Sequence, residues 1–344
     1  GMIYYQSVEN GSINRDVYAI KVDGKSKVRL SSKKGTNSAT FSPNFQFFIN
    51  TYSSATSAPT YTLNDSKTGA VVKTIVSNEA VETKLAKYDV TPKEFFVLTT
   101  EKGHQLNAWM IKPKNFDPNK KYPVFMYQYS GPGSQQVDNA WNSTDDYWFM
   151  MLAQQGYIVA CVDGRGTGFK GAAFKKCTQK ELGKYEVEDQ IDAAKVIGKY
   201  NYVDASRIGI FGWSYGGFMS SNCLFQGADV FKMAIAVAPV TSWRYYDSIY
   251  TERYMQTPQE NASGYDNNSP INHVSKLKGN FLLIHGTADD NVHVQNTMKM
   301  VEALVQANKQ FDWAIYPDKN HGIYGGKTRL QLYTKMTNFI KEKL

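Results

Sequence analysis

The stretch Gly212-Trp213-Ser214-Tyr215-Gly216 constrains the fold more than any other part of the chain. It follows a short apolar run at residues 207–211 that reads as a buried strand, and it leads into residues 217–224, small and apolar, which read as a helix. A strand that reverses directly into a helix leaves no room for side chains flanking the turn, and the two glycines meet that demand. Ser214 then projects alone, as an acyl-transfer nucleophile does. A bland Gly/Ser turn is the alternative; the strand before and the helix after weigh against it.

The rest of the chain falls into two textures. In residues 1–84, runs at 3–8, 16–22, 40–52 and 60–64 are rich in Tyr, Val, Ile, Phe and Thr, with turns at Asn10-Gly11, Asp23-Gly24, Pro43-Asn44 and Thr68-Gly69. Four such strands make about one propeller blade. No second copy is found, so this β-rich segment either packs on the rest of the chain or belongs to a larger propeller. From residue 85 the pattern changes. A hairpin (94–100 with 107–112) and strands at 122–127, 157–162, 207–211, 233–237, 281–285 and 311–316 alternate with helical runs, among them 148–155 and 185–199. This predicts an α/β domain over 85–344, a mostly parallel sheet with helices on both faces. Active sites in such sheets lie beyond the carboxyl ends of the strands, and Ser214, Asp289 and His321 each follow one.

Composition narrows the function. An apolar content of 42% supports a substantial core, and the net charge of +8 is scattered without a compact basic run, which argues against nucleic-acid binding. Cys161, Cys177 and Cys223 lack metal-ligand spacing, so no metal is expected. No apolar run approaches the roughly 20 residues of a membrane span. The opening Gly1-Met2-Ile3-Tyr4-Tyr5 is not a signal peptide, which leaves the compartment undecided.

A serine hydroxyl needs a base, and the base needs an acid that fixes its tautomer. Of the five histidines, His104, His273, His285, His293 and His321, the last fits the α/β-hydrolase order, in which the acid follows the serine and the histidine comes last. For the acid, Asp289 and Asp290 both follow the strand at 281–285, and sequence chemistry does not choose between them. Capping of a helix at 292–307 is the competing role, and Asp290 could cap while Asp289 serves the histidine. The oxyanion needs donors: the Tyr215 amide, and a second from the loop holding Tyr129 and Gly131-Pro132-Gly133.

Together, residues 212–217, 285–293 and 318–322 resemble the prolyl oligopeptidase family, closest to its dipeptidyl peptidase IV branch. Asp163-Gly164-Arg165-Gly166, Glu186-Val187-Glu188-Asp189-Gln190, and the run from Ala236 through Trp243 to Met255 carry the same resemblance, which covers residues 85–344, with the N-terminus similar to the last part of the family's propeller. The resemblance implies an α/β-hydrolase fold with Ser214 as nucleophile, His321 as base and Asp289 as acid. It implies Tyr129 as the oxyanion donor beside the Tyr215 amide, and a pocket of Tyr215, Val240, Trp243, Tyr246, Tyr250 and Val292, with Asn291 on the carbonyl of the substrate's first residue. An aromatic box suits a flat pyrrolidine ring and disfavours long or charged side chains. Without the resemblance, the same aromatics read as core.

The implied activity is release of N-terminal dipeptides with proline or alanine second, with peptides as partners and no cofactor. A periplasmic, extracellular or cell-surface location and a homodimer involving the amphipathic run at 328–344 are also implied. One departure stands out: the family's dipeptidyl peptidases hold the substrate's amino group with a glutamate pair on the propeller, and nothing in this sequence matches it. A proline-directed endopeptidase, an acylaminoacyl peptidase and a carboxylesterase are therefore competing readings. A non-enzymatic binding module is a further one, against which the intact Ser, Asp and His argue.

Overall fold

The computed structural model describes residues 1–141 and 143–344, and the chain divides into two compact units. The first comprises residues 1–94 with 137–154. Strands β1 (Met2–Ser7), β2 (Asp16–Lys21) and β3 (Val28–Arg29) form an antiparallel three-stranded sheet. Strands β4 (Thr36–Phe41), β5 (Phe47–Ser54), β6 (Ser57–Asp65) and β7 (Val71–Val76) form an antiparallel four-stranded meander, the blade-like element. Helices α1 (Glu79–Leu85) and α2 (Thr144–Gln154) complete this unit. Val17, Ala19, Leu30 and Phe48 make a small core, with Tyr4 and Phe41 packed on it.

The strand count differs from the sequence reading. The Pro43-Asn44 turn falls inside the run at 40–52 and splits it into β4 and β5, with the Ser42 amide donating to the Phe47 carbonyl across the turn. Strand β7 was not expected at all. The β-rich texture thus belongs to seven strands in two sheets, of which only β4–β7 make a blade. The later segment joins this unit through polar contacts. Asn139 accepts from the Ala55 amide at 3.0 Å and donates to Asn14 at 3.1 Å, and Lys93 pairs with buried Asp146 at 2.8 Å.

The second unit, residues 95–136 and 155–344, is built on a sheet of eight strands. In chain order these are β8 (Glu94–Thr99), β9 (Gln105–Ile111), β10 (Tyr122–Tyr127), β11 (Ile158–Asp163), β12 (Val203–Trp213), β13 (Met233–Val237), β14 (Asn280–Gly286) and β15 (Asp312–Tyr316). Their spatial order is β15-β14-β13-β12-β10-β11-β9-β8, with β9 antiparallel to β11 and every pairing from β11 across to β15 parallel. Strands β11 and β13 are buried at every position, as expected of a sheet covered on both faces. The strand order reverses at β10, with β11 on one side and β12 on the other, and helices pack within this unit. These helices are α3 (Ala172–Lys176), α4 (Lys184–Gly198), α5 (Tyr215–Gln226), α6 (Ser248–Met255), α7 (Ala262–Asn267), α8 (Gln295–Gln306) and α9 (Thr328–Lys343). This is the α/β-hydrolase fold. Helix α8 starts three residues later than expected, with Val294 at its cap position and no side-chain cap, and Asp290 is exposed. The capping role considered for Asp290 is therefore not realised.

The loop after β11 is locked to α4 by a buried ion pair. Arg165 places Nη2 2.7 Å from Asp189 Oδ1 and Nε 3.0 Å from both oxygens, while its own amide donates to Oδ2 at 2.7 Å. Tyr185 lies under the guanidinium, 4.9 Å from ring centroid to Cζ. Arg165→Met strands a fully buried carboxylate and should cost about 3–5 kcal/mol in denaturant unfolding; Arg165→Lys, which lacks the planar fork, should recover only part of it.

Candidate active site

The loops after β10, β12, β14 and β15 build the site from one edge of the sheet. Ser214 stands between β12 and α5 with φ of 61° and ψ of −117°, a backbone state that ordinary residues seldom hold without a surrounding structure that enforces it. The enforcement is visible. A Cβ on Gly212 would stand 2.3 Å from the Gly216 carbonyl oxygen, and one on Gly216 would stand 2.7 Å from the Gln128 carbonyl oxygen. Only glycine fits at both places. The Ser214 amide donates to the Val237 carbonyl at 2.8 Å, and the Ser214 carbonyl accepts from the Phe218 amide at 3.0 Å, which starts the helix. Gln128, fully buried, donates from Nε2 to the Gly216 carbonyl at 2.8 Å and to Ser220 Oγ at 3.1 Å, so the end of β10 braces the turn.

Next to Gln128, Tyr129 stands beside Ser214, close enough for the two hydroxyls to influence each other. Burial raises the phenol above its ordinary range, against a smaller opposing pull from nearby Ser214, so Tyr129 keeps its hydroxyl proton at physiological pH.

Asp289 and His321 meet. His321 Nδ1 lies 2.7 Å from Asp289 Oδ2. Asp289 Oδ1 accepts from the amides of Asn291 and Val292 at 3.0 and 2.9 Å, which folds its loop into a tight turn. A second imidazole, His285 on β14, also reaches Oδ2, at 3.1 Å. Burial by itself would raise the Asp289 carboxyl, but the bonds from His285, His321 and the Val292 amide outweigh it and hold the group far below the usual carboxylate range. The His321 loop is fastened on its other side as well: Trp213 Nε1 donates to the His321 carbonyl at 2.9 Å, and the Ala288 amide donates to the Lys319 carbonyl at 3.0 Å.

The aromatic residues also converge. Ring centroids lie 5.3 Å apart for Tyr215 and Trp243, 5.9 Å for Trp243 and Tyr246, 6.0 Å for Trp243 and Tyr250, and 5.3 Å for Tyr246 and Tyr250. Val240 and Val292 are buried, and Asn291 Oδ1 accepts from the Tyr246 hydroxyl at 2.6 Å. Thus the residues singled out in the sequence as site candidates sit on adjoining loops of one unit. Sequence reasoning missed three polar residues under them: Gln128, His285 and Glu186. Glu186, fully buried near the start of α4, accepts from the Tyr215 hydroxyl at 2.7 Å and from the Gly183 amide at 3.0 Å. Burial pushes its carboxyl up to about 7, against the pull of its hydrogen bonds. Only its place three residues after Gly183 hinted at this, as an acidic N3 residue reaching back to a helix start.

With the geometry in hand, comparison with known proteins is decisive. A model of the prolyl oligopeptidase family matches residues 142–344, and one of the dipeptidyl peptidase IV N-terminal region matches residues 1–59. The chain belongs to the prolyl oligopeptidase family. Members similar to it include proteins named probable dipeptidyl-aminopeptidase B from Sclerotinia sclerotiorum, 40% identical over 98% of this chain and 37% of the relative, and from Aspergillus terreus, 40% identical over 99% and 38%. Among solved structures, Porphyromonas gingivalis dipeptidyl peptidase 4 is 52% identical with a TM-score of 0.97, and a putative dipeptidyl aminopeptidase IV from Bacteroides ovatus is 30% identical with a TM-score of 0.91. Each match covers 100% of this chain and 48% of the solved one. The chain therefore spans less than half the length of these family members.

Glu186 links this site to pH. Its carboxyl binds a proton more tightly folded than unfolded, so its contribution to stability is complete below the unfolded value near 4.5 and falls away as pH rises toward 7. Glu186→Gln removes that titration. Denaturant unfolding of the two proteins should show wild type losing about 3 kcal/mol relative to the variant between pH 4 and pH 8.

Proposed function

We propose that the chain carries the catalytic centre of a serine exopeptidase that releases dipeptides from peptide amino termini, with proline or alanine in the second position. The observation that carries this reading is the joint placement of Ser214 on its strained turn, Tyr129 beside Ser214, and His321 on Asp289 at 2.7 Å. Ser214 Oγ attacks the carbonyl carbon after the second residue while its proton passes to His321 Nε2. Asp289, accepting the Nδ1 proton, fixes the tautomer and stabilises the imidazolium. The oxyanion accepts from the Tyr129 hydroxyl and the Tyr215 amide. His321 then protonates the leaving amine, and water, activated by the same imidazole, clears the acyl-enzyme from Ser214.

The box of Tyr215, Val240, Trp243, Tyr246, Tyr250 and Val292 takes the proline ring, and Asn291, oriented by Tyr246, contacts the carbonyl of the first residue. The Tyr215 hydroxyl is tied to Glu186, which engages it away from the proposed proline site. The names of the similar proteins, dipeptidyl-aminopeptidase and dipeptidyl peptidase, support the exopeptidase reading. A functional division at residues 84 and 85 and a homodimer belong to the same proposal. Exposed Trp313 on the edge strand β15 and exposed Leu330 on α9 support the dimer.

Ser214→Ala should abolish both fluorophosphonate labelling and the burst of an activated Gly-Pro ester, a loss of about 10³-fold or more; unchanged turnover would sink the proposal. Comparing a Gly-Pro anilide with its N-acetylated form separates an exopeptidase, which rejects the blocked substrate, from an endopeptidase or acylaminoacyl peptidase. Tyr129→Phe should lower kcat about 10²- to 10³-fold while leaving Ser214 open to labelling, as expected for loss of one oxyanion donor.

A further inference from the structure

We infer that His285, which the chain order sets aside as a base, is a positioning residue of the Ser214 site: it shares the Asp289 carboxylate with His321 and so sets the acidic limit of activity. The inference rests on the roles proposed above for Asp289 and His321.

His285 is the penultimate residue of β14 and has no exposed surface. Its Nε2 lies 2.7 Å from the Val292 carbonyl oxygen and 3.1 Å from Asp289 Oδ2. A carbonyl can only accept, so Nε2 carries the proton and divides it between the two oxygens. At the other end, Nδ1 lies 2.7 Å from Thr297 Oγ1 on α8. The threonine hydroxyl can donate to Nδ1 or accept from it, so both ring nitrogens are occupied while Nε2 stays the donor. Such a ring cannot act as a second base for Ser214. It is a fixed donor.

The consequence falls on Oδ2. That oxygen receives two imidazole donors, while Oδ1 receives two backbone amides. Each donor draws charge from the carboxylate, so less remains to stabilise protonated His321. The bond also pins Oδ2 toward His321. Other ionisable groups border this cluster: Asp290 and His293 on the same loop, Asp318 and Lys319 on the His321 loop, and Tyr246 through Asn291. None of them changes when His285 is replaced. Removing the His285 donor concentrates negative charge on the His321 side and favours the imidazolium, so the acid limb of activity moves to higher pH.

The test is the pH dependence of Ser214 labelling by a fluorophosphonate in the full chain, which needs no peptide selectivity. In His285→Leu the acid limb should rise by about 0.5–1 pH unit, with labelling several-fold slower at pH 6. His285→Gln should restore the wild-type limb, because its Nε2 is the same number of bonds from the backbone and still donates. Thr297→Val, which keeps the side-chain shape, should move the limb the same way by less. The low-field proton resonance of the His321–Asp289 bond should shift in the leucine variant and return in the glutamine one. Equal displacement in the leucine and glutamine variants, or an unmoved limb in folded His285→Leu, overturns the inference. Should the leucine variant not fold, an unmoved limb in Thr297→Val does so. Absence of Ser214 labelling in the wild type would instead overturn the proposed function, and this inference with it.

Discussion

A carboxylate taken out of water has to find donors for about four lone-pair positions, and Asp289 finds all of them within the protein. Two are backbone amides of its own turn, and two are imidazoles brought by β14 and by the loop after β15. Meeting that demand shapes the loop that carries Asn291 and Val292, so the acid and part of the proposed pocket are set by one group. It also fastens the β15 loop, which would otherwise be a long connection to α9. Burying a charge is costly, and here the cost is offset by bonds that also orient the groups of the proposed chemistry.

Beneath the site, a second buried carboxylate works differently. Glu186 has fewer donors, so burial dominates and its proton is held near neutrality. Asp289 and Glu186 thus lie in opposite regimes within one unit. Asp289 has more donors, and burial weighs more heavily on Glu186.

The architecture of the second unit was legible in the sequence because its signals are local: apolar runs of strand length, helices between them, and a Gly-x-Ser-x-Gly turn whose geometry only glycine allows. The first unit was less so. The run at 40–52 contains its own turn, which hides two strands in one stretch, and β7 lies past a Thr68-Gly69 turn in a stretch whose side chains are all exposed and so give no buried face to count. Helix α8 started late because Asp289 spends its side chain on the amides of Asn291 and Val292, which delays the helix instead of capping it. Gln128, Glu186 and His285 could not be found from sequence, since each acts by a contact with residues dozens of positions away or by a tautomer that only packing defines.

The turn at Ser214 has a consequence for altering this protein. Residues 212 and 216 press backbone against backbone, so no side chain can be introduced there without displacing β10 or α5. The aromatic segment from Trp243 to Tyr254 is a short 3₁₀ turn followed by a two-turn helix, outside the sheet and joined to the nucleophile mainly through ring contacts with Tyr215. Trp243, Tyr246 and Tyr250 of the proposed pocket therefore rest on a piece separate from the Ser214 turn, whereas Asn291 and Val292 share the Asp289 loop. On the proposed reading, a library confined to that segment could redirect which side chain is accepted while Ser214, Asp289 and His321 keep their places.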